Sequence, residues 1–121
     1  MALANSLQGK LDSKRIVIMD GGTGTEVSRR GVVIDSGGSW SADSNITFPD
    51  LVRDIHRDYI LAGAEIITTN TFSSSRVTLE KGGLSERTGE INEKSVSLAM
   101  EARKNCNAEE TVVIAGSMSA F

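Results

Sequence analysis

Three short apolar runs, each breaking off into polar residues, constrain this chain more than any other feature. They begin near residues 16, 64 and 112, about 48 residues apart. The first, Ile16-Val17-Ile18-Met19, stops at Asp20. The second lies in AEIITTNTF and passes into Thr68, Thr69, Asn70 and Thr71. The third, Val112 to Ala115, gives way to Gly116, Ser117 and Ser119. Apolar, β-branched runs without alternation suit strands covered on both faces. Helical patterns separate them, so the rhythm predicts repeated βαβ crossovers and an α/β fold with a parallel sheet. In such folds the ligand site lies at the carboxyl ends of the strands. Asp20, Thr69, Asn70, Gly116 and Ser117 all fall there. No sequence identity links the three units, which makes the period architectural and not a solenoid repeat.

The segments between the runs carry helix signals of unequal strength. After the glycine-rich turn at Gly21 and Gly22, TGTEVSRRG reads as a short helix with Thr23 or Thr25 as N-cap and Gly31 as its stop. Residues 32 to 46, rich in Ser, Gly, Asp and Asn, read as a loop that pins Trp40 against something apolar. TFPDLVRDIHRDYILAG is the best-marked helix, with Thr47 as N-cap, Pro49 in the first turn and Gly63 past the end. Leu51, Val52, Ile55, Tyr59 and Ala62 form its apolar face. SSSRVTLEKGG is a loop or a short helix. A further helix over about 84 to 104 turns Ile91, Ser95, Leu98, Ala99 and Ala102 inward.

Composition excludes several classes of function. A formal net charge of −3, with basic residues scattered, gives no footprint for nucleic acid. Neither the opening MALANSLQGKLDSK nor any later segment is apolar for long enough to be a signal peptide or a membrane span. A cytoplasmic location and no membrane or nucleic-acid partner are therefore expected. The single cysteine, Cys106, cannot form an internal disulfide or a multi-cysteine zinc site by itself. His56, the one histidine, stands mid-helix among charged residues and reads as a surface or packing side chain. GGTGT lacks the lysine and spacing of a nucleotide cradle. Asp20 has two readings, a cap for the following turn or a ligand contact.

MDGGTGTEVSRRG, the tryptophan of the following loop, PDLVRDIHRDYILAGAEIITTNTF and VIAGSMSAF occur here in order. Together they resemble the amino-terminal part of the homocysteine S-methyltransferase family, over about residues 15 to 121. The resemblance implies the first part of a (β/α)8 barrel. It also implies an activity, the transfer of a methyl group from a small-molecule donor to the thiolate of homocysteine, forming methionine. In the family a zinc ion held by three cysteines activates that thiolate, as metals do for coordinated thiols. Those cysteines lie on later strands, and Cys106 matches none of them, so neither a metal ligand nor a catalytic residue is expected in this chain. Its expected share is substrate binding, by Asp20, Gly21, Gly22, Thr23, Thr69, Asn70 and Ser117. Asp20 matches the family aspartate at the end of the first strand, where a carboxylate can pair with the substrate ammonium.

Three parallel strands leave two edges unpaired, short of a covered sheet or closed barrel. Residues 15 to 121 are accordingly expected to be the first three strands and intervening helices of a larger domain, and residues 1 to 14 an extension preceding it. The alternative is a non-catalytic chain that binds an amino-acid-like ligand or a partner. The unpaired strand edges add an expectation of self-association.

Overall fold

The structure, a computed structural model, describes residues 3–34 and 38–119. Residues 35–37 of the expected loop lie outside the described residues, as do Ala120 and Phe121 of the last quoted motif. The elements in chain order are α1 (Leu3–Asp12), α2 (Thr23–Arg29), α3 (Ser44–Thr47), α4 (Pro49–Leu61), β1 (Ile66–Thr68), α5 (Arg76–Glu80), a 3₁₀ turn at Ser85–Arg87, α6 (Thr88–Asn105) and β2 (Val113–Ala115). No helix among the described residues is long and apolar enough to cross a membrane.

β1 and β2 pair in parallel, with Ile66 opposite Val113, Ile67 opposite Ile114 and Thr68 opposite Ala115. The first apolar run lies parallel on the other side of β1, but only Met19 pairs, with Ile66. That corrects the expectation of a strand buried on both faces over 16–19. Ile16 is 87% exposed, and Ile18 and Met19 are also exposed, because no described element covers the outer side of the run. It is held toward its carboxyl end instead, at Ile18 and beyond. Glu65 and Ile66 donate their amides to the Ile18 carbonyl, and Glu65 accepts the Ile18 amide at Oε2, 3.0 Å away. The other Glu65 oxygen takes Lys10 of α1 at 2.6 Å, so the leading segment is helical and tied to the bottom of the sheet. The Lys10 ammonium, then the Ile18 amide, hold the Glu65 carboxyl below its ordinary range.

Three helices stop in the same way. Each chain end turns through a left-handed residue, Gly31 after α2, Gly63 after α4 and Asn107 after α6. The next amides, of Val32, Ala64 and Ala108, reach back to the carbonyls of Val27, Tyr59 and Arg103. These paired bonds satisfy carbonyls that a helix end otherwise leaves open. The amino ends depart from the sequence reading. Gly22 caps α2, and neither Thr23 nor Thr25 does, since Thr23 already lies in the helix. Thr47 is the last residue of α3 and its hydroxyl bonds back to the Asp43 carbonyl, so Phe48, without a side-chain bond, precedes Pro49 of α4.

The core lies between the sheet and the long helices. Ile91, Ser95, Leu98, Ala99 and Ala102 of α6 are all buried, the stripe that the spacing predicts. Leu98 meets Val27, Val52 and Ile55, while Ala99 meets Ile67, Ala64, Ala108 and Val112. In α4, Val52 and Ile55 are buried and Leu51 and Tyr59 half-buried, but Ala62 is exposed. It follows the last helical residue, where the helical face has ended.

His56 takes a buried place in α4 with no accessible surface, and neither ring nitrogen has a partner among the described residues. It is a packing histidine, and burial alone lowers its pKa to about 4. The unfolded chain takes up a proton near pH 6.5, whereas the folded chain stays neutral until about pH 4. Stability is thus whole above pH 6.5 and is lost as the pH falls toward 4, by roughly 3 kcal/mol across the interval. Urea unfolding between pH 7 and 4 is expected to show this slope, and His56→Leu to flatten it.

Candidate functional site

Every strand-end residue singled out for substrate binding lines one open cleft of about 370 Å³ at the carboxyl end of the sheet. Its walls carry Asp20, Gly21, Gly22, Thr23, Thr69, Asn70 and Ser117. A volume of this size suits a small molecule. Sequence reasoning missed Met19, Trp40, Ser41, Thr68 and Phe72, which share the lining.

Asp20 ends the first apolar run because its amide donates to the Ile66 carbonyl while its carboxylate turns across to the next strand. There Thr68 supplies two donors. Its amide meets Oδ2 at 2.7 Å and its hydroxyl meets Oδ1 at 3.0 Å. Each oxygen keeps a lone pair. Burial is the largest influence on this carboxyl and raises its pKa above 3.8, against the opposing pull of the Thr68 bonds. Asp20 is also the one ionisable residue among the described residues lining the cleft. The cleft is therefore a half-buried anionic site with no cation among its described lining residues.

The glycine-rich turn has a packing reason that its sequence does not reveal. A Cβ on Gly21 would lie 2.8 Å from the Tyr59 hydroxyl and 3.3 Å from its ring. Tyr59 itself donates to the Gly22 carbonyl at 3.3 Å, so α4 reaches under the turn and supports it. A Cβ on Gly24 would lie 2.9 Å from Ser41 Oγ. The turn is pressed between a helix below and a loop beside it, and small residues fit both contacts.

Thr69, Asn70 and Ser117 come together but spend most of their polar atoms on one another and on the adjoining loop. Thr69 Oγ1 and Thr71 Oγ1 share a hydrogen bond of 2.8 Å, and both accept the Ser117 amide at 3.3 Å. Asn70 is bonded to Ser41 and Asn45 of the 38–45 segment. That segment carries Trp40, whose ring meets Phe72 edge to face with centroids 5.9 Å apart, the apolar support expected for it. The hydroxyls of Thr23, Thr25 and Ser117 point to no hydrogen bond within the described chain.

Among the described residues no group of three or more His, Cys, Asp or Glu could hold a metal ion. Cys106 caps α6 at the opposite end of the sheet and packs against the core around Ile67. The residues present do not fit the three-thiolate zinc site that the family resemblance implies.

The family model described as Homocysteine S-methyltransferase matches residues 17–121. The chain belongs to that family. It is 34% identical over 127 aligned positions to the homocysteine S-methyltransferase of Escherichia coli (strain K12), covering all of this chain and 40% of that protein. It is 35% identical to the homocysteine S-methyltransferase YbgG of Bacillus subtilis (strain 168), over 82% of this chain and 31% of that one. A selenocysteine Se-methyltransferase of Brassica oleracea var. italica shares 38% identity over 71% of this chain and 25% of its own length. Among solved structures, the metallated homocysteine methyltransferase MmuM from Escherichia coli superposes with a TM-score of 0.80 at 33% identity, over 95% of this chain and 41% of that one. The fold is thus the parallel α/β arrangement of part of a (β/α)8 barrel, and the chain spans less than half the length of these relatives.

Filling the turn should disturb the support from α4. Gly21→Ala is expected to lower stability by about 1–3 kcal/mol, as overpacking does, and Tyr59→Phe, which removes the nearest oxygen, to restore part of it. Thermal unfolding of the two single variants and the double variant measures this. Equal stability of Gly21→Ala and the parent chain would show that Tyr59 yields without cost.

Proposed function

We propose that this chain supplies the amino-acid-binding part of a homocysteine S-methyltransferase, with Asp20 receiving the substrate ammonium. The observation that carries this is a carboxylate in a small cleft, oriented through both oxygens and without a cation among the described residues lining it. An ammonium group placed there would gain a charge-assisted hydrogen bond and offset the cost of burying Asp20. Gly21, Gly22 and Thr23 offer close backbone approach beside it, Ser117 a hydroxyl from the third strand end and Thr69 the floor between them, while the Asn70 side chain is committed to Ser41 and Asn45. In the whole enzyme the homocysteine thiolate would attack the methyl carbon of a small-molecule donor, forming the S–CH3 bond of methionine. The bond from that carbon to the donor would break at the same time, and the demethylated donor would leave with the bonding pair. Zinc would stabilise that thiolate. The residues of this chain would hold the amino acid.

Calorimetric titration with homocysteine tests this, in the presence of EDTA so that metal plays no part. Asp20→Asn keeps the shape and removes the charge. Its expected effect is a loss of roughly 1.5–3 kcal/mol, about ten- to a hundredfold in affinity. Affinity should also fall as the pH drops through the Asp20 pKa, which lies above 3.8, because the protonated carboxyl no longer attracts an ammonium. Equal affinity of Asp20→Asn and the parent chain would leave Asp20 only its tie to Thr68.

A second reading, a binding chain without catalysis of its own, draws on exposed apolar surface at both sheet edges. Ile16 is 87% exposed at one edge, and Met118 is 95% exposed just beyond β2 at the other. Strand edges of this kind recruit further strands. Sedimentation velocity over a range of concentrations is expected to show self-association. Ile16→Lys and Met118→Lys should reduce it, and a monomer at all concentrations would argue against it.

A further inference from the structure

The segment that carries Trp40 does not hold its shape by its own preferences. Trp40 has φ +54°, a left-handed conformation that is costly for a bulky side chain and persists only where neighbours over-determine it. The neighbours here converge on one buried amide. Asn70 Nδ2 donates to the Ser41 carbonyl at 2.9 Å and to Asn45 Oδ1 at 3.2 Å, and its Oδ1 accepts the Ser41 hydroxyl at 3.0 Å. Asn45 Nδ2 returns a bond to the Asn70 carbonyl at 2.9 Å. Ser73 adds its hydroxyl to the Ser39 carbonyl at 2.8 Å. The bonds therefore fall immediately before and after Trp40 in sequence, and all five partner residues are buried. Between them the indole stands 42% exposed on the wall of the cleft.

We propose that Asn70 is a positioning residue. Its amide fixes Ser41 and Asn45 and so sets Trp40 as a rigid aromatic wall of the cleft, without itself touching the ligand. Both Nδ2 hydrogens are committed, and a direct contact with ligand through them would break a buried bond. Gly24 completes the arrangement from the other side, since a Cβ there would press on Ser41 Oγ at 2.9 Å and lie 3.8 Å from the indole. The link to the ligand rests on the assignment of this cleft to homocysteine, whereas the link to Trp40 does not.

Trp40 is the only tryptophan in the chain, so its fluorescence reports the wall directly. In Asn70→Ala the emission should move to longer wavelength and acrylamide should quench it more strongly, with the far-UV circular dichroism unchanged. Asn45→Ala, which removes two of the bonds and leaves Asn70, should do the same to a smaller degree. The double variant should go no further than Asn70→Ala. Parent-like emission and quenching in Asn70→Ala would overturn the proposal. Loss of the far-UV signal in both single variants would overturn it too, because the amide would then be a requirement of the whole fold. Homocysteine affinity should fall about tenfold in Asn70→Ala, and parent-like affinity with a displaced Trp40 would overturn the role of the wall in binding. A parent chain that binds no homocysteine would defeat the assignment of the cleft, while the Trp40 signal would still decide the positioning role.

Discussion

Parallel pairing is the constraint from which the rest of this structure follows. Two parallel strands cannot be joined by a tight turn, so the chain must cross back over the sheet between them. From the first run to β1 that crossing is made through α2, α3 and α4, and from β1 to β2 through α5 and α6. The return path has two effects. It places α4 and α6 over the sheet, where Val52, Ile55, Leu98 and Ala99 bury the apolar faces. It also sends every strand out at the same end, so Asp20, Thr69, Asn70 and Ser117 meet although they span nearly a hundred residues of sequence.

The two ends of the sheet are fastened by different chemistry. At the amino end Glu65 joins α1, the first run and β1 through Lys10 and the Ile18 amide, an ion pair backed by a backbone donor. At the carboxyl end the fastening is almost entirely neutral. Thr68 holds Asp20, Thr69 and Thr71 hold the Ser117 amide, and Asn70 holds the Trp40 segment. Neutral hydrogen bonds suffice to fix that geometry and leave Asp20 as the source of local charge. A cation among the fasteners would have neutralised the cleft.

How much of this was legible in the sequence depends on the range of the interaction behind it. The α6 stripe from Ile91 to Ala102 follows from helical periodicity, and the stops at Gly31 and Gly63 from local backbone chemistry, so both are readable from a few residues. The gathering of the strand ends needs only the βαβ rhythm. Contacts between distant segments were not readable. Nothing near Gly21 announces that Tyr59, 38 positions later, lies beneath it, and nothing near Asn70 announces Ser41. The caps assigned to Thr23 and Thr47 failed because capping signals fix a boundary only within a turn or so. Burial of the first run failed for a further reason. Apolar character states what a strand requires on its faces, and the described chain supplies no cover for Ile16 and Ile18.

A carboxylate in this cleft needs a physical reason. Glu26, Asp58, Glu65 and Glu90 each lie against an arginine or lysine that lowers their pKa, so their charge is favourable where it is found. Asp20 differs. Burial raises its pKa, and the groups that answer it are an amide and a hydroxyl of Thr68, which orient the carboxylate without neutralising it. If Asp20 served only to join two strands, a neutral acceptor in its place would do so without the cost of a half-buried charge. A group that is oriented on two oxygens, left uncompensated and turned to a cleft of small-molecule size is arranged for a charge that arrives from outside. The ammonium of the proposed amino-acid ligand would meet that requirement, at the strand ends where (β/α)8 barrels in general carry their sites.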